Sequence, residues 1–69
     1  MDLTDVICKN IKDARKAKGL TQKEVAQAFL MTQQQYSRFE TGKFEFNYNQ
    51  LYQICKMLDI TPNELFNFE

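Results

Sequence analysis

Side chains able to hydrogen-bond the edges of nucleic-acid bases are concentrated in one short segment. Gln33, Gln34 and Gln35 follow one another, and Ser37 and Arg38 come within the next helical turn. A glutamine amide places a donor beside an acceptor and so matches N6 and N7 of adenine, while an arginine fork matches O6 and N7 of guanine. The alternative interpretation is that the three glutamines only form an uncharged, solvated helix face.

Two capping signals predict that this segment is a helix preceded by another short helix. Thr21 with Glu24, and Thr32 with Gln35, have the spacing of capping boxes, in which side chains satisfy free N–H groups at a helix start. Gln35 could use its amide for this cap or for a contact with DNA. The positions expected to pack inward are Val25, Ala26, Phe29, Tyr36 and Phe39. We therefore predict a helix-turn-helix over residues 21–40, whose second helix would enter the major groove.

The segments TQKEVA (residues 21–26) and MTQQQYSRFETG (residues 31–42) resemble the phage repressor/Cro-type (XRE) helix-turn-helix family. The resemblance extends over residues 7–66, and it implies a lambda repressor-like DNA-binding domain with double-stranded DNA as its partner. One position departs from the family pattern, because Leu30 stands at the corner where glycine is usual. Since glycine tolerates a positive φ without penalty, we expect either strain at Leu30 or a different turn.

The resemblance also implies which side chains contact DNA. Gln33, Gln34 and Arg38 would contact bases, and Ser37 a base edge or a phosphate. Gln22 would bind a phosphate at a helix start, where free N–H groups and the helix dipole favour anions. The other predicted phosphate contacts are Lys23, Thr32, Gln35 and Lys43.

Arg15 and Glu40 are predicted to form a structural ion pair with no direct role in base recognition. In the resembling family, an arginine of the first helix pairs with the glutamate that ends the reading helix. A guanidinium and a carboxylate can form two parallel hydrogen bonds, which would join those two helices. The alternative is that Arg15 and Glu40 are unrelated surface charges.

The remaining sequence predicts three more helices around this motif. Leu3, Ile7, Ile11 and Ala14 are spaced as one face of a helix over residues 3–18, which Gly19 would end. A fourth helix is predicted from residue 47 or 48 to about residue 58, and the segment TPNE at residues 61–64 signals the start of a fifth. We therefore predict an all-α, compact five-helix orthogonal bundle that forms a single domain over residues 1–69.

Apolar residues after the motif suggest a second surface. Phe44 and Phe46 alternate with polar residues in the predicted loop 41–47, so we expect one to pack inward and the other to be exposed. Leu65, Phe66 and Phe68 would form an apolar patch at the C-terminal helix. This patch could be a homodimer interface or a surface for a partner protein.

Composition and charge limit the classes of function that this protein can have. The formal net charge is zero, but eight of the nine basic residues lie in residues 9–43, together with only three acidic ones. This positive charge surrounds the predicted reading unit, although alone it would equally suit a solvated helical surface. The chain contains no histidine, glycine-rich phosphate loop or paired nucleophile and base. We therefore predict no enzyme activity, no metal and no cofactor.

The expected environment follows from the cysteines and the apolar runs. Cys8 and Cys55 lie within apolar helical patterns, where we expect reduced, semi-buried thiols. No apolar run approaches the roughly 20 residues needed to span a bilayer, and the N-terminus is acidic. We therefore expect a cytoplasmic protein, and the resemblance to the phage repressor/Cro-type family implies that a prokaryote or a phage encodes it.

Together these features predict a sequence-specific transcriptional regulator that binds double-stranded DNA. It would act as a repressor and as a homodimer on two half-sites roughly 34 Å apart. The alternative is an antitoxin or adaptor that uses the same fold to present its apolar C-terminal surface to a partner.

Overall fold

The computed structural model describes residues 2–68, and five α-helices form within them. They are α1 (Leu3–Ala17), α2 (Gln22–Ala28), α3 (Gln33–Glu40), α4 (Tyr48–Leu58) and α5 (Pro62–Phe66). The first helix packs against α3, α4 and α5, and α2 packs against α3. The predicted all-α five-helix bundle is confirmed. Within residues 2–68 no helix has both the length and the apolar character needed to cross a membrane.

Capping boxes open four of these helices and fix where each begins. The pairs predicted at the starts of α2, α3 and α5 are all formed. A fourth pair, which the sequence analysis did not include, joins Asn47 to Gln50. Asn47 accepts the Gln50 backbone N–H at 2.8 Å, and the Gln50 amide oxygen accepts the Asn47 N–H at 2.8 Å. Helix α4 therefore begins at Tyr48, with Asn47 as its cap.

The corner of the helix-turn-helix is made by a leucine in the left-handed conformation. Leu30 has a φ of 57°, and its side chain is 96% exposed. Its N–H donates to the carbonyl of Gln27 at 3.1 Å, and the Met31 N–H donates to that of Ala26 at 2.9 Å. These two bonds form a Schellman motif, which normally has glycine at the left-handed position. The departure at Leu30 is therefore accommodated by backbone strain and not by a different turn.

The core is formed by one set of buried side chains contributed by all five helices. Its members are Ile11, Val25, Ala26, Tyr36, Ile54, Leu58 and Leu65. The prediction that Tyr36 belongs to the core is confirmed, and Phe39, three residues further along α3, is half-buried. Leu3, predicted to continue the inward stripe of α1, is instead exposed because it lies in the first turn of the helix, at the edge of the bundle.

The predicted C-terminal apolar patch is wrong for one of its three residues. Leu65 is fully buried in the core, because α5 packs against α1 through it, so it cannot contact a partner. Phe66 is half-buried, and Phe68 is 72% exposed, with the two ring centroids 6.4 Å apart. Only these two rings remain available to an interface at this end of the chain.

Asn10 connects α1 to the end of α5 through hydrogen bonds that the sequence analysis did not predict. The two protons of its Nδ2 are shared among three acceptors, which are the carbonyl oxygens of Leu65 at 2.9 Å and Glu64 at 3.2 Å and the side-chain oxygen of Asn67 at 2.9 Å. Carbonyl groups in the last turn of a helix have no intrahelical partner. Asn10 therefore supplies a cap for α5 from the opposite end of the sequence.

The aromatic loop and the two cysteines are arranged as the sequence predicted. Phe46 is half-buried against the core, whereas Phe44 is exposed. Cys8 and Cys55 are free and half-buried. The Cys8 thiol donates to the carbonyl oxygen of Phe39 at 3.3 Å, which adds a contact between α1 and α3.

Candidate nucleic-acid interface

The burial pattern of α3 divides the helix into an inner and an outer face. Tyr36 and Glu40 are buried, and their four-residue spacing places them on one side of the helix. Gln33, Gln34 and Arg38 are exposed. Because the helix is anchored through its inner residues, its amide and guanidinium groups are presented to solvent on a rigid element.

A shallow polar depression lies on this outer face, between the start of α2 and the length of α3. Its lining residues are Gln22, Gln33, Gln34, Ser37 and Arg38. The structure thus brings together the four predicted base-contacting residues and one predicted phosphate contact. All five carry side-chain hydrogen-bond donors, and only Arg38 among them is charged. The depression can therefore donate several hydrogen bonds to a polyanionic ligand.

The other predicted phosphate contacts lie outside this lining. Lys23, Thr32, Gln35 and Lys43 are all exposed. Thr32 and Gln35 form the capping box of α3, with bonds of 3.0 and 3.1 Å between each side-chain oxygen and the other residue's backbone N–H. Both side chains act there as acceptors, so the hydroxyl proton of Thr32 and the amide protons of Gln35 remain available to a phosphate.

Arg15 and Glu40 meet in a two-pronged ion pair behind the reading helix. Arg15 Nε lies 3.0 Å from Glu40 Oε2, and Arg15 Nη2 lies 2.9 Å from Oε1. Arg15 Nη1 donates to the carbonyl oxygen of Leu20 at 2.8 Å. The pair therefore fixes the end of α3 both to α1 and to the turn before α2.

Gln22 connects this buried pair to the polar depression. Its Nε2 donates to Glu40 Oε1 at 3.2 Å, a contact that the sequence analysis did not predict. An amide nitrogen carries two protons, so one remains free to donate outward. The bond to Glu40 orients the Gln22 side chain, which stays half-buried at the edge of the depression.

Two buried ionisable groups of the inner face have shifted pKa values. Burial raises the pKa of Glu40, but hydrogen bonds from Arg15 and Gln22 outweigh it, so the pKa lies below the ordinary value of 4.5. Burial, and then the nearby Glu40 carboxylate, raise the pKa of Tyr36 far above its ordinary value. The Tyr36 hydroxyl is buried and has no hydrogen-bond partner of acceptable geometry among residues 2–68. At neutral pH the inner face therefore holds an ionised Glu40 beside a neutral Tyr36.

The sequence analysis also did not predict that an aromatic ring lies beside Arg38. The guanidinium carbon of Arg38 lies 5.7 Å from the centroid of the Phe44 ring. The two residues are six positions apart across the turn that ends α3, a separation at which neither a continuous helix nor a strand would bring the side chains into contact. Only the path of the turn brings them together.

Comparison with known protein families supports the helix-turn-helix assignment. A family model described as helix-turn-helix matches residues 11–65, which include the whole motif and most of the surrounding bundle. No curated protein and no solved structure matches the chain significantly. The family match covers well over half of the sequence, and the matched segment contains every residue of the polar depression. The chain therefore belongs to the phage repressor/Cro-type (XRE) helix-turn-helix family of DNA-binding proteins.

Proposed function

We propose that this protein is a sequence-specific transcriptional regulator that represses by occupying an operator in double-stranded DNA. The observation that supports this most strongly is the outer face of α3, where Gln33, Gln34 and Arg38 stand exposed on a helix anchored by buried Tyr36 and Glu40. A rigid helix with amide and guanidinium groups on its outer side fits the width of the major groove and the hydrogen-bonding pattern of its bases.

In this proposal the contacts to DNA divide into two classes. Gln33, Gln34, Ser37 and Arg38 read base edges, because they line one depression on the outer face. Phosphate contacts come from the surrounding donors, which are Gln22, Lys23, Thr32, Gln35 and Lys43. Base contacts set sequence preference, whereas phosphate contacts set register and most of the salt-dependent affinity.

We also propose that the protein binds DNA as a homodimer. One reading helix contacts one half-site, and two half-sites roughly 34 Å apart require two chains. Phe66 and Phe68 cannot form such an interface alone, because a stable one buries about 800 Å² per partner and an aromatic ring only about 150–250 Å². An apolar groove that includes Phe66 could add the missing buried area. Its lining residues are Leu3, Thr4, Ile7, Cys8, Phe44, Glu45, Phe46, Tyr48, Leu51 and Phe66.

The same apolar groove supports a second candidate function, that of an antitoxin or adaptor. A partner protein could cover the groove in place of a second copy, and DNA binding would then be regulated by that partner. Sedimentation of the pure chain separates the two proposals. A dimer that dissociates in Phe68→Ser, but not in the control Tyr52→Ser, favours self-association through this face. The centroid of the Phe68 ring lies 6.4 Å from that of Phe66, which lines the groove, whereas Tyr52 is an exposed ring outside the lining.

Selection from a randomised duplex pool tests the main proposal. We expect enrichment of one half-site, repeated at a fixed spacing, with binding that persists at physiological salt. Retention of DNA only at low salt, with no enriched half-site, would mean that the protein binds the phosphate backbone without reading sequence. Placing the selected site over a promoter should then lower transcription of a reporter, and unchanged or raised transcription would contradict repression.

A further inference from the structure

Arg38 has an aromatic partner that its role on the reading face does not require. Its guanidinium lies 5.7 Å from the ring centroid of Phe44, within the range of a cation–π contact. Among residues 2–68 Arg38 has no carboxylate partner. The ring of Phe44 is therefore a directional contact for a side chain that would otherwise sample many rotamers.

The Phe44 ring is itself held in place by the turn and by neighbouring rings. The N–H groups of Lys43 and Phe44 both donate to the Arg38 carbonyl oxygen, at 2.8 and 3.1 Å, so the chain folds back onto the residue it contacts. The Phe44 ring meets that of Phe39 edge to face, with centroids 5.5 Å apart, and Phe39 lies 5.0 Å from Phe46. Although Phe44 is 44% exposed, its ring is thus the outer member of an aromatic row that ends at the core.

This arrangement leaves the hydrogen-bonding edge of Arg38 free. Among residues 2–68 the Arg38 side chain donates no hydrogen bond and forms no ion pair, so its N–H donors remain available while its guanidinium carbon lies 5.7 Å from the ring centroid. Arg38 also lines the polar depression, whereas Phe44 lies outside that lining. The side chain is therefore placed between the ring on one side and the proposed base contacts on the other.

We propose that Phe44 is a positioning residue that holds the Arg38 guanidinium in its base-reading direction before DNA is bound. Restricting a rotamer-rich side chain in advance removes part of the entropy that binding would otherwise lose. The consequence is stronger discrimination at the one base pair that Arg38 contacts, with little effect elsewhere. This inference rests on the proposed function, because it assumes that Arg38 reads a base.

The first arm of the test examines the contact without DNA. Ring currents of Phe44 should shift the NMR signals of the Arg38 δ-methylene protons in the free protein, and Phe44→Leu should abolish that shift. Phe44→Leu keeps an apolar side chain but removes the ring, and Phe44→Met serves if the leucine variant does not fold. Arg38 signals that are the same in the wild type and in Phe44→Leu would overturn the inference.

The second arm measures discrimination on the selected duplex. The base pair read by Arg38 is identified as the one whose substitution no longer matters in Arg38→Ala. At that base pair, Phe44→Leu should lower the ratio of dissociation constants for the wrong and right duplexes by about two- to fivefold. Phe44→Tyr, which keeps the ring, should preserve the ratio. In the Arg38→Ala background, Phe44→Leu should have no further effect on discrimination.

Three results would overturn the inference while leaving the proposed function standing. They are an equal loss of affinity on every duplex in Phe44→Leu, unchanged affinity and an unchanged ratio in Phe44→Leu, and a loss of discrimination in Phe44→Leu that persists in the Arg38→Ala background. The first would assign Phe44 to packing of the loop or to the apolar groove that it also lines, and the third would assign it to packing alone. If the wild-type protein selects no half-site, the proposed function fails and the positioning role fails with it, even where the NMR contact is seen.

Discussion

Arg15 and Glu40 join the first helix to the end of the reading helix through two parallel hydrogen bonds, of 3.0 and 2.9 Å. Their side chains are 9% and 2% exposed, so both charges are almost fully removed from water. Each charge has further partners, since Arg15 also donates to Leu20 and Glu40 also accepts from Gln22. The pair therefore sets the position of α3 relative to the core, and so determines which way the polar depression on α3 faces.

Removing one member of this pair should be more harmful than removing both. Glu40→Ala leaves the Arg15 charge buried without its partner, and we expect a loss of about 3–5 kcal/mol in the free energy of unfolding. The double variant Arg15→Met, Glu40→Leu fills the same space with apolar side chains and should be more stable than Glu40→Ala. Urea denaturation measures both. A double variant no more stable than Glu40→Ala would show that the loss does not come from the unpaired Arg15 charge.

The same pair predicts how stability depends on pH. The pKa of Glu40 is lower in the folded protein than its ordinary value of 4.5, so the folded state binds this proton less readily than the unfolded state. The stability contributed by Glu40 is complete above about pH 4.5, and it is lost as the pH falls from there through the lowered pKa.

The double variant Arg15→Met, Glu40→Leu is the control for this pH dependence. Glu24 and Asp13 also have lowered pKa values, from hydrogen bonds with Thr21 and Lys9 respectively, and they titrate in both proteins. We expect the wild type to lose more stability than the double variant in urea titrations carried from pH 6 to pH 2. Parallel curves for the two proteins would assign the acid sensitivity to groups other than Glu40.

The left-handed leucine at the corner predicts a stabilising substitution. A non-glycine residue in this conformation costs about 1–2 kcal/mol, and the exposed Leu30 side chain makes little contact that would offset it. Leu30→Gly should raise the free energy of unfolding by about 0.5–1 kcal/mol after the greater freedom of glycine in the unfolded chain is subtracted. Leu30→Ala, which keeps the Cβ that causes the strain, should show no such gain. If Leu30→Gly unfolds at a lower temperature than the wild type, strain at this position is refuted.

Loss of the hydrogen bonds from Asn10 to the end of α5 should destabilise the C-terminal helix locally. Asn10→Ala leaves the Leu65 and Glu64 carbonyl groups without this donor, and we expect a loss of about 0.5–1.5 kcal/mol. Amide hydrogen exchange should speed up in α5 before it does in α3. Lys12→Ala, an exposed position on α1 two residues away, is the control and should leave exchange in α5 unchanged. Equal acceleration in α3 and α5 would mean that the whole fold had been destabilised.

Features set by neighbouring residues could be predicted from the sequence. The Thr21–Glu24 and Thr32–Gln35 caps depend on a spacing of three residues, so their signals are complete within one turn of helix. The inward direction of Tyr36 follows from the same periodicity. Because these local signals locate both helices of the motif, the exposed direction of the glutamines could be predicted as well.

Features that depend on the path of the chain could not be predicted in this way. Asn10 meets Leu65 across 55 residues, and no local pattern encodes that contact. Leu65 was assigned to an exposed patch because a five-residue helix is too short for periodicity to show which side faces inward. The contact between Phe44 and Arg38 depends on the turn at Gly42, whose φ is 85°. Such contacts need the fold before they can be recognised.

The central claim, that the outer face of α3 reads bases, is tested most directly by comparing variants on every single-base-pair substitution of the selected half-site. Gln33→Ala and Gln34→Ala should each lose about 1–3 kcal/mol of discrimination at particular positions and keep it at the others. The control Lys43→Ala should weaken binding to all duplexes alike and reduce the slope of log affinity against log salt by about 1. Uniform weakening by the glutamine variants, with no position losing its preference, would contradict the claim.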